Sequence, residues 1–246
     1  SKREESIIQK ESYIKEEREK LAELTNKKLR INLPENADIV LNKEYIDSMP
    51  AYISDIIRCI NNLDACTDMI LKKSKGDLEI TSIKSYFVLL ATYISSDLFG
   101  GNTPNVRVHF RLYDLEKNGY VKLVAVVGKK IVNKDLTFIP YSDDSMIKKS
   151  YECRRALIRS INSDHDYKSN NYSMWEDYLT YTFYDIKYGD IPFLSFGISI
   201  KNAVRYRKIL HFLNYFRIED FLQHNIEQVD EYINLSEIFY GGSRND

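Results

Sequence analysis

A chain of 246 residues with 43% hydrophobic content can bury a full-sized core, and its scarcity of Gly (9) and Pro (5) excludes a turn-rich sandwich or a disordered chain. A formal net charge of −1 excludes a global field that would draw the protein to nucleic acid or acidic lipid. The longest apolar run, Tyr86 to Ile94, is too short to span a bilayer, and no signal peptide is visible.

Residues 2–30 are densely charged. Ile7, Ile14 and Leu21 fall at a seven-residue spacing, with Leu24 at the matching d position, but the other d positions are Lys10 and Glu17. The pattern predicts a solvated helix that either pairs with a copy of itself as a coiled coil or stands alone. Residues 31–41, punctuated by Pro34 and Asn36, break it. The chain opens without a Met and inside this helical pattern. That leads to the expectation of a segment cut from a longer parent, with room for a membrane segment or another domain before Ser1.

A second helix is predicted from about Pro50 to Gly76, with Ile53, Ile56, Ile57, Ile60 and Leu63 as its apolar stripe. A third spans residues 78–99 on Ile83, Phe87, Leu90, Ile94 and Leu98, and Gly100-Gly101-Asn102 stops it. The period then falls to two: Val108, Phe110 and Leu112 point one way, and Arg107, His109, Arg111 and Tyr113 the other. Turn residues 114–119 lead into a near-continuous apolar strand, Tyr120 to Val127, so these two strands should form an antiparallel hairpin. Residues 128–135 read as a charged loop and 136–140 as a short third strand. Ser142 to Ser145 supply N-cap chemistry for a helix running to about Ile161, with Ile147, Ser150, Arg154, Leu157 and Ile161 on one side. After a polar loop, residues 178–185 and 193–200 form a second hairpin around Lys187 to Asp190. Helices around Ile209–Phe216 and from Phe221 to Ile238 end the chain.

Strands grouped around one internal helix, with helices at both ends, imply an α+β domain: an antiparallel sheet of about five strands, helices on one face and a loop-and-helix layer on the other. The expected division is a charged extension over 1–44, an α+β domain over 45–216 and a C-terminal helix and tail over 217–246.

These elements resemble a GAF domain, a sensor fold related to PAS. The resemblance is carried by the hairpin Arg107 to Val127, the short strand 136–140, the inserted helix 145–161 and the strands Tyr178 to Ile200 with Ile191-Pro192-Phe193-Leu194-Ser195. It covers roughly residues 50–216. It implies a small molecule bound between the sheet and the helix-loop layer, and dimerisation through terminal helices that pass the signal on. Cys153 is followed by Arg154 rather than the His of bilin-binding members, so no covalent bilin is implied. Asn133-Lys134, Phe138 and Asp143-Asp144 only loosely echo the cyclic-nucleotide pattern, at the wrong spacing.

Arg107, His109 and Arg111 on one pleat face, capped by Tyr113, either cradle an anionic ligand or form a solvated outer face. Thr180, Thr182, Ser195, Gly197 and Ser199 are small and leave room either for a ligand or for a closely packed terminal helix. Lys148, Arg155 and Arg159 read as a basic strip on the internal helix, salt-bridged through Glu152 or anion-binding. Cys153 either pairs with His109 or His165 as a nucleophile or packs as a small hydrophobe. Asp164-His165-Asp166 reads as a polar loop rather than a metal site, and Trp175 as a loop anchor or a pocket lid.

The three cysteines, Cys59, Cys66 and Cys153, have no metal spacing and point to a reducing, cytoplasmic compartment. The expected function is a non-catalytic cytosolic sensor or regulatory domain. It would bind a small ligand or partner protein, without metal or known cofactor, and act as a homodimer through its helical ends. A ligand-free interaction module, a nucleic-acid module and a cysteine-dependent enzyme are the alternatives.

Overall fold

The computed structural model describes residues 43–73, 79–101, 104–133, 138–142, 145–160, 177–185, 191–201 and 204–240. The heptad segment, Asp164-His165-Asp166 and Trp175 lie outside them. The chain divides into two compact units, Ser1–Ile53 and Ser54–Asp246. The described part of the first is the start of helix α1 (Lys43–Leu71), with Pro50 inside the helix rather than at its beginning. The expected start at Pro50 is thus corrected: proline is favoured in a first turn but is tolerated further in, at the expense of one backbone hydrogen bond.

In the second unit, α1 buries Ile56, Cys59, Leu63, Cys66 and Ile70, spaced three and four apart. The predicted stripe is shifted, because Ile57 is 53% exposed while both cysteines pack as small hydrophobes. Helix α2 (Ile80–Phe99) buries the five predicted residues, Ile83, Phe87, Leu90, Ile94 and Leu98, and ends as expected at Gly100, whose φ of 80° is the left-handed cap. The two helices run antiparallel. Arg58 donates to the Asp97 carbonyl (3.1 Å) and Asn62 to the Asp97 carboxylate (2.8 Å) at one end, and the Thr67 and Tyr86 hydroxyls meet at 3.0 Å nearer the other.

Among the described residues the sheet has seven strands: β1 (Val106–Asp114), β2 (Gly119–Val127), β3 (Lys130–Ile131), β4 (Ile139–Pro140), β5 (Leu157–Ser160), β6 (Asp177–Asp185) and β7 (Ile191–Ile200). Its order is β3-β2-β1-β7-β6-β5, with β4 also on β2, and every pair is antiparallel. Both predicted hairpins are present. The residues read as a charged loop contain β3, which extends β2 by pairing with Val126 and Val127.

One face of the sheet is aromatic and aliphatic. Phe110 stacks on Phe87 of α2 (5.1 Å) and on Phe196 of β7 (5.3 Å), and all three are fully buried. On this face too, Tyr181 donates to Gln223 of α5 (Ile218–Ile233) at 3.2 Å. Helix α4 (Val204–Tyr215) precedes α5 and α6 (Leu235–Tyr240) follows it; left-handed Asn234 breaks the predicted single C-terminal helix in two.

The other face carries α3 (Met146–Cys153), capped by the Ser145 side chain, which accepts from the Lys148 amide. The internal helix does not run to Ile161. It stops at Arg154, in the left-handed region at φ 53°, and Leu157–Ser160 become β5 against β6. Ser150 fixes that turn: its hydroxyl donates to the Arg155 carbonyl (2.7 Å) and accepts the Thr182 amide (3.1 Å). The Ala156 amide beyond it donates to Glu219 Oε1 on α5 (3.3 Å). Replacing Ser150 with Ala strands the buried Thr182 amide and the Arg155 carbonyl, and should lower stability by roughly 1–3 kcal/mol. Urea denaturation measures it.

Candidate functional site: a cationic face of the sheet

Residues paired across antiparallel strands point to the same side of the sheet, so the register defines the α3 face row by row. One row joins Arg159 on β5, the Tyr178 position on β6, Ser199 on β7 and Arg107 on β1. The next joins Leu157, Thr180, Gly197, His109 and Ala125. A third joins Thr182, Ser195, Arg111 and Lys122. Tyr113 and Tyr120 pair in the row beyond. The candidates read from two separate hairpins therefore meet on one surface, because β1 and β7 are neighbours.

This surface is not solvated. Arg111 is 4% exposed and His109 8%, and Ser195, Ser199 and Thr182 are buried. The reading of Arg107, His109 and Arg111 as an outer face is corrected for His109 and Arg111, while Arg107 is half-buried. Period-two patterning places polar residues opposite an apolar face, but it does not say whether that side meets water. Arg107 donates to the Ser199 hydroxyl at 3.3 Å. The His109 ring lies over β7: a β-carbon added at Gly197 would come within 2.5 Å of Nε2 and 2.6 Å of Cε1. Glycine is needed there because the ring occupies the space of a side chain.

The electrostatics follow from burial. Desolvation, then Arg111 and Arg107, hold His109 well below the usual imidazole range, so its ring is neutral. Desolvation and the charge on Arg107 lower Arg111 to about 9, still protonated at neutral pH. His109 Nδ1 has no hydrogen-bond partner among the described residues. Two guanidinium forks four residues apart on one strand, flanked by Ser195 and Ser199 and separated by an uncharged imidazole, make a surface suited to an oxyanion.

The other candidates separate. Thr182 is committed to α3, donating to the Ile147 carbonyl at 2.8 Å. The terminal helix α5 packs on the opposite face, and of these small residues Thr182 is the one bonded to α3. Tyr113 donates to Asn118 and its carbonyl accepts Tyr240 (2.7 Å). The basic strip does not exist as drawn: only Lys148 is on the helix, near Glu152 (3.8 Å), while Arg155 lies in the turn and Arg159 on β5. Arg159 on the cationic face was missed because Leu157 to Ser160 were read at helical period. Lys122 was missed because a bulge leaves Leu123 without a partner on β1 and shifts the pairing. Its ammonium donates to the Val132 and Asn133 carbonyls.

Cys153 is exposed rather than packed, whereas His109 is buried. Cys59 and Cys66 are buried in α1, where burial pushes both thiols up, Cys66 to about 11. Among the described residues no group of His, Cys, Asp and Glu could hold a metal ion, and no helix is long and apolar enough to cross a membrane.

No protein-family model matches the chain, and no curated protein does. Solved structures similar in shape include the GAF domain of an Acinetobacter phosphoenolpyruvate-protein phosphotransferase, at 10% identity and TM-score 0.45, covering 70% of this chain and 90% of that one. A putative GAF sensor protein from Burkholderia vietnamiensis has 8% identity and TM-score 0.46, covering 74% and 98%. The free methionine-R-sulfoxide reductase of Neisseria meningitidis has 10% identity and TM-score 0.47, covering 69% and 89%. The α+β architecture itself rests on the strand pairing above.

Two outcomes follow for the site. Gly197→Ala displaces the His109 ring and should cost roughly 1–3 kcal/mol, read by urea denaturation. The folded state also holds His109 neutral, whereas the unfolded chain takes up a proton near pH ~6.5. The unfolded state therefore binds more protons below that value, and stability should fall as pH drops through it toward the lower folded value. Melting temperatures from pH 7.5 to 5.5 check this, with His109→Gln showing the shallower decline.

Proposed function

We propose that this protein is a regulatory, sensor-type domain whose α3-side sheet face binds a small anionic molecule. The observation that carries the reading is the burial of Arg111 beside a neutral His109 on one pleat face, with a half-buried Arg107 and the buried Ser195 and Ser199 on the same face. A guanidinium fork matches the oxygens of a carboxylate or phosphate two at a time, and such charge-assisted bonds are stronger than neutral ones. Binding would act by population shift, favouring the arrangement in which α3 closes over the face. The response would pass to the terminal helices, and a homodimer through those ends is part of this proposal.

The test is a thermal-shift titration of the whole chain at low ionic strength with inorganic phosphate and simple carboxylates, against chloride at matched ionic strength. A stabilising anion present at 100 times its dissociation constant adds about 2.7 kcal/mol. Arg111→Gln should remove the shift while leaving a cooperative melt. An absence of any anion-specific shift would sink the proposal.

An enzymatic reading has one observation in its favour: Cys153 is an exposed thiol at the end of α3, on the same side of the sheet. One of the neighbours in shape is a free methionine-R-sulfoxide reductase. Turnover of free methionine sulfoxide that disappears in Cys153→Ser would replace the sensor reading with a catalytic one.

A further inference from the structure

We propose that the cationic face takes up a proton together with its anion, with His109 as the residue that receives it, so that anion affinity rises as pH falls; this rests on the anion-binding reading above and adds its regulation.

His109 stands between Arg107 and Arg111 on one side of β1, a single step of ~7 Å from each. An oxyanion on either fork, or shared by both, therefore lies beside the imidazole. The ring rests on Gly197, which has no side chain to displace it, and it is 8% exposed. The charged groups that the strands bring to its side of the sheet are cationic. Arg107 and Arg111 flank it on β1, Lys122 of β2 lies in the Arg111 row and Arg159 of β5 in the Arg107 row. Strands β6 and β7 bring Tyr178, Thr180, Thr182, Ser195, Gly197 and Ser199 to these rows, none of them charged. Helix α3 carries Lys148, Lys149 and Glu152, and the Glu152 side chain is 57% exposed beside Lys148. Among the described residues, no carboxylate of the sheet faces the ring.

That setting makes proton and anion interdependent. Without an anion, a proton on His109 would add a third positive charge to a buried cationic row, and burial together with Arg111 and Arg107 keeps the ring neutral. An anion on the forks reverses the sign of the local field and favours the imidazolium. His109 Nδ1 is buried and has no hydrogen-bond partner among the described residues. Both nitrogens of an imidazolium donate, so Nδ1 can meet an anion oxygen whichever tautomer the free ring holds. The proton comes from solvent, and the N–H bond is the only one formed. By linkage, an anion that favours the proton is favoured by the proton to the same degree. Affinity is then greatest at low pH and falls as pH rises through the value of the bound ring.

Isothermal titration of the whole chain with sulfate, whose charge is constant near neutrality, reads the coupling at ionic strength matched with chloride. A bound ring restored to the ordinary imidazole value of ~6.5 raises sulfate affinity about tenfold between pH ~7.5 and ~5.5. Titrations at pH ~6.5 in buffers of different ionisation enthalpy should then count about half a proton taken up per sulfate. His109→Gln should bind sulfate with an affinity nearly level across this range and without proton uptake. The proton count on the unaltered chain needs no variant, so a folding defect in His109→Gln leaves the test intact. Sulfate binding with level affinity and no proton uptake overturns this inference alone, leaving anion binding in place. An undiminished pH dependence in a folded His109→Gln also overturns it. Failure of both sulfate and acetate to bind anywhere in this range overturns both this inference and the function proposed above.

Discussion

Strand β1 is paired along its length on both sides, by β2 and by β7. A central strand has two faces and a period of two, and one face is already committed: Val106, Val108 and Phe110 are fully buried under α2. Arg107, His109 and Arg111 therefore have one direction in which to point. Because β7 lies beside them, their cross-strand neighbours are Ser199, Gly197 and Ser195. The cationic face is thus not assembled from loops that converge by chance. It follows from strand order and from apolar residues at alternate positions of β1. Any change in β1 register by one residue would exchange the two faces and bury the cations against α2.

Helix α3 packs at the β6 and β5 end of that face. It is short, and it meets the sheet through the hydrogen bonds of Ser150, Thr182 and the Ile147 carbonyl and through the Ile147 side chain beside Tyr113 and Tyr120. By contrast α2 is held by the stacked rings of Phe87, Phe110 and Phe196. The two layers differ in kind. One is a hydrophobic core whose rearrangement would open cavities; the other is a hydrogen-bonded cover whose adjustment exchanges a few polar contacts.

Much of this was legible in the residues. The alternation from Val106 to Tyr113 and the two hairpins follow from side chains repeating at period two, and the five buried positions of α2 from spacing at 3.6. Three features were hidden for physical reasons. The end of α3 depends on one left-handed residue, Arg154, and on the Ser150 hydroxyl, neither of which breaks a hydrophobic pattern. The bulge at Leu123 leaves the composition of β2 unchanged while altering which residue faces Arg111. The burial of Arg111 depends on what covers the sheet, and a strand sequence carries no information about its cover. Tyr120 was read as part of an apolar strand. Its place opposite Tyr113 becomes visible only once that register is known.

Glu219 gives the two layers a common fate. It is 1% exposed, one oxygen takes the Ala156 amide at the start of β5, and burial pushes its carboxyl up despite Arg217 nearby. Peeling β5 away from α5 would leave both the amide and the carboxyl without that contact in a dry environment. The turn after α3 and the first turn of α5 therefore open together or not at all, as one cooperative unit. A buried bond crosses the sheet at its β5 edge, so strain in the α3 turn is felt at the beginning of the last long helix.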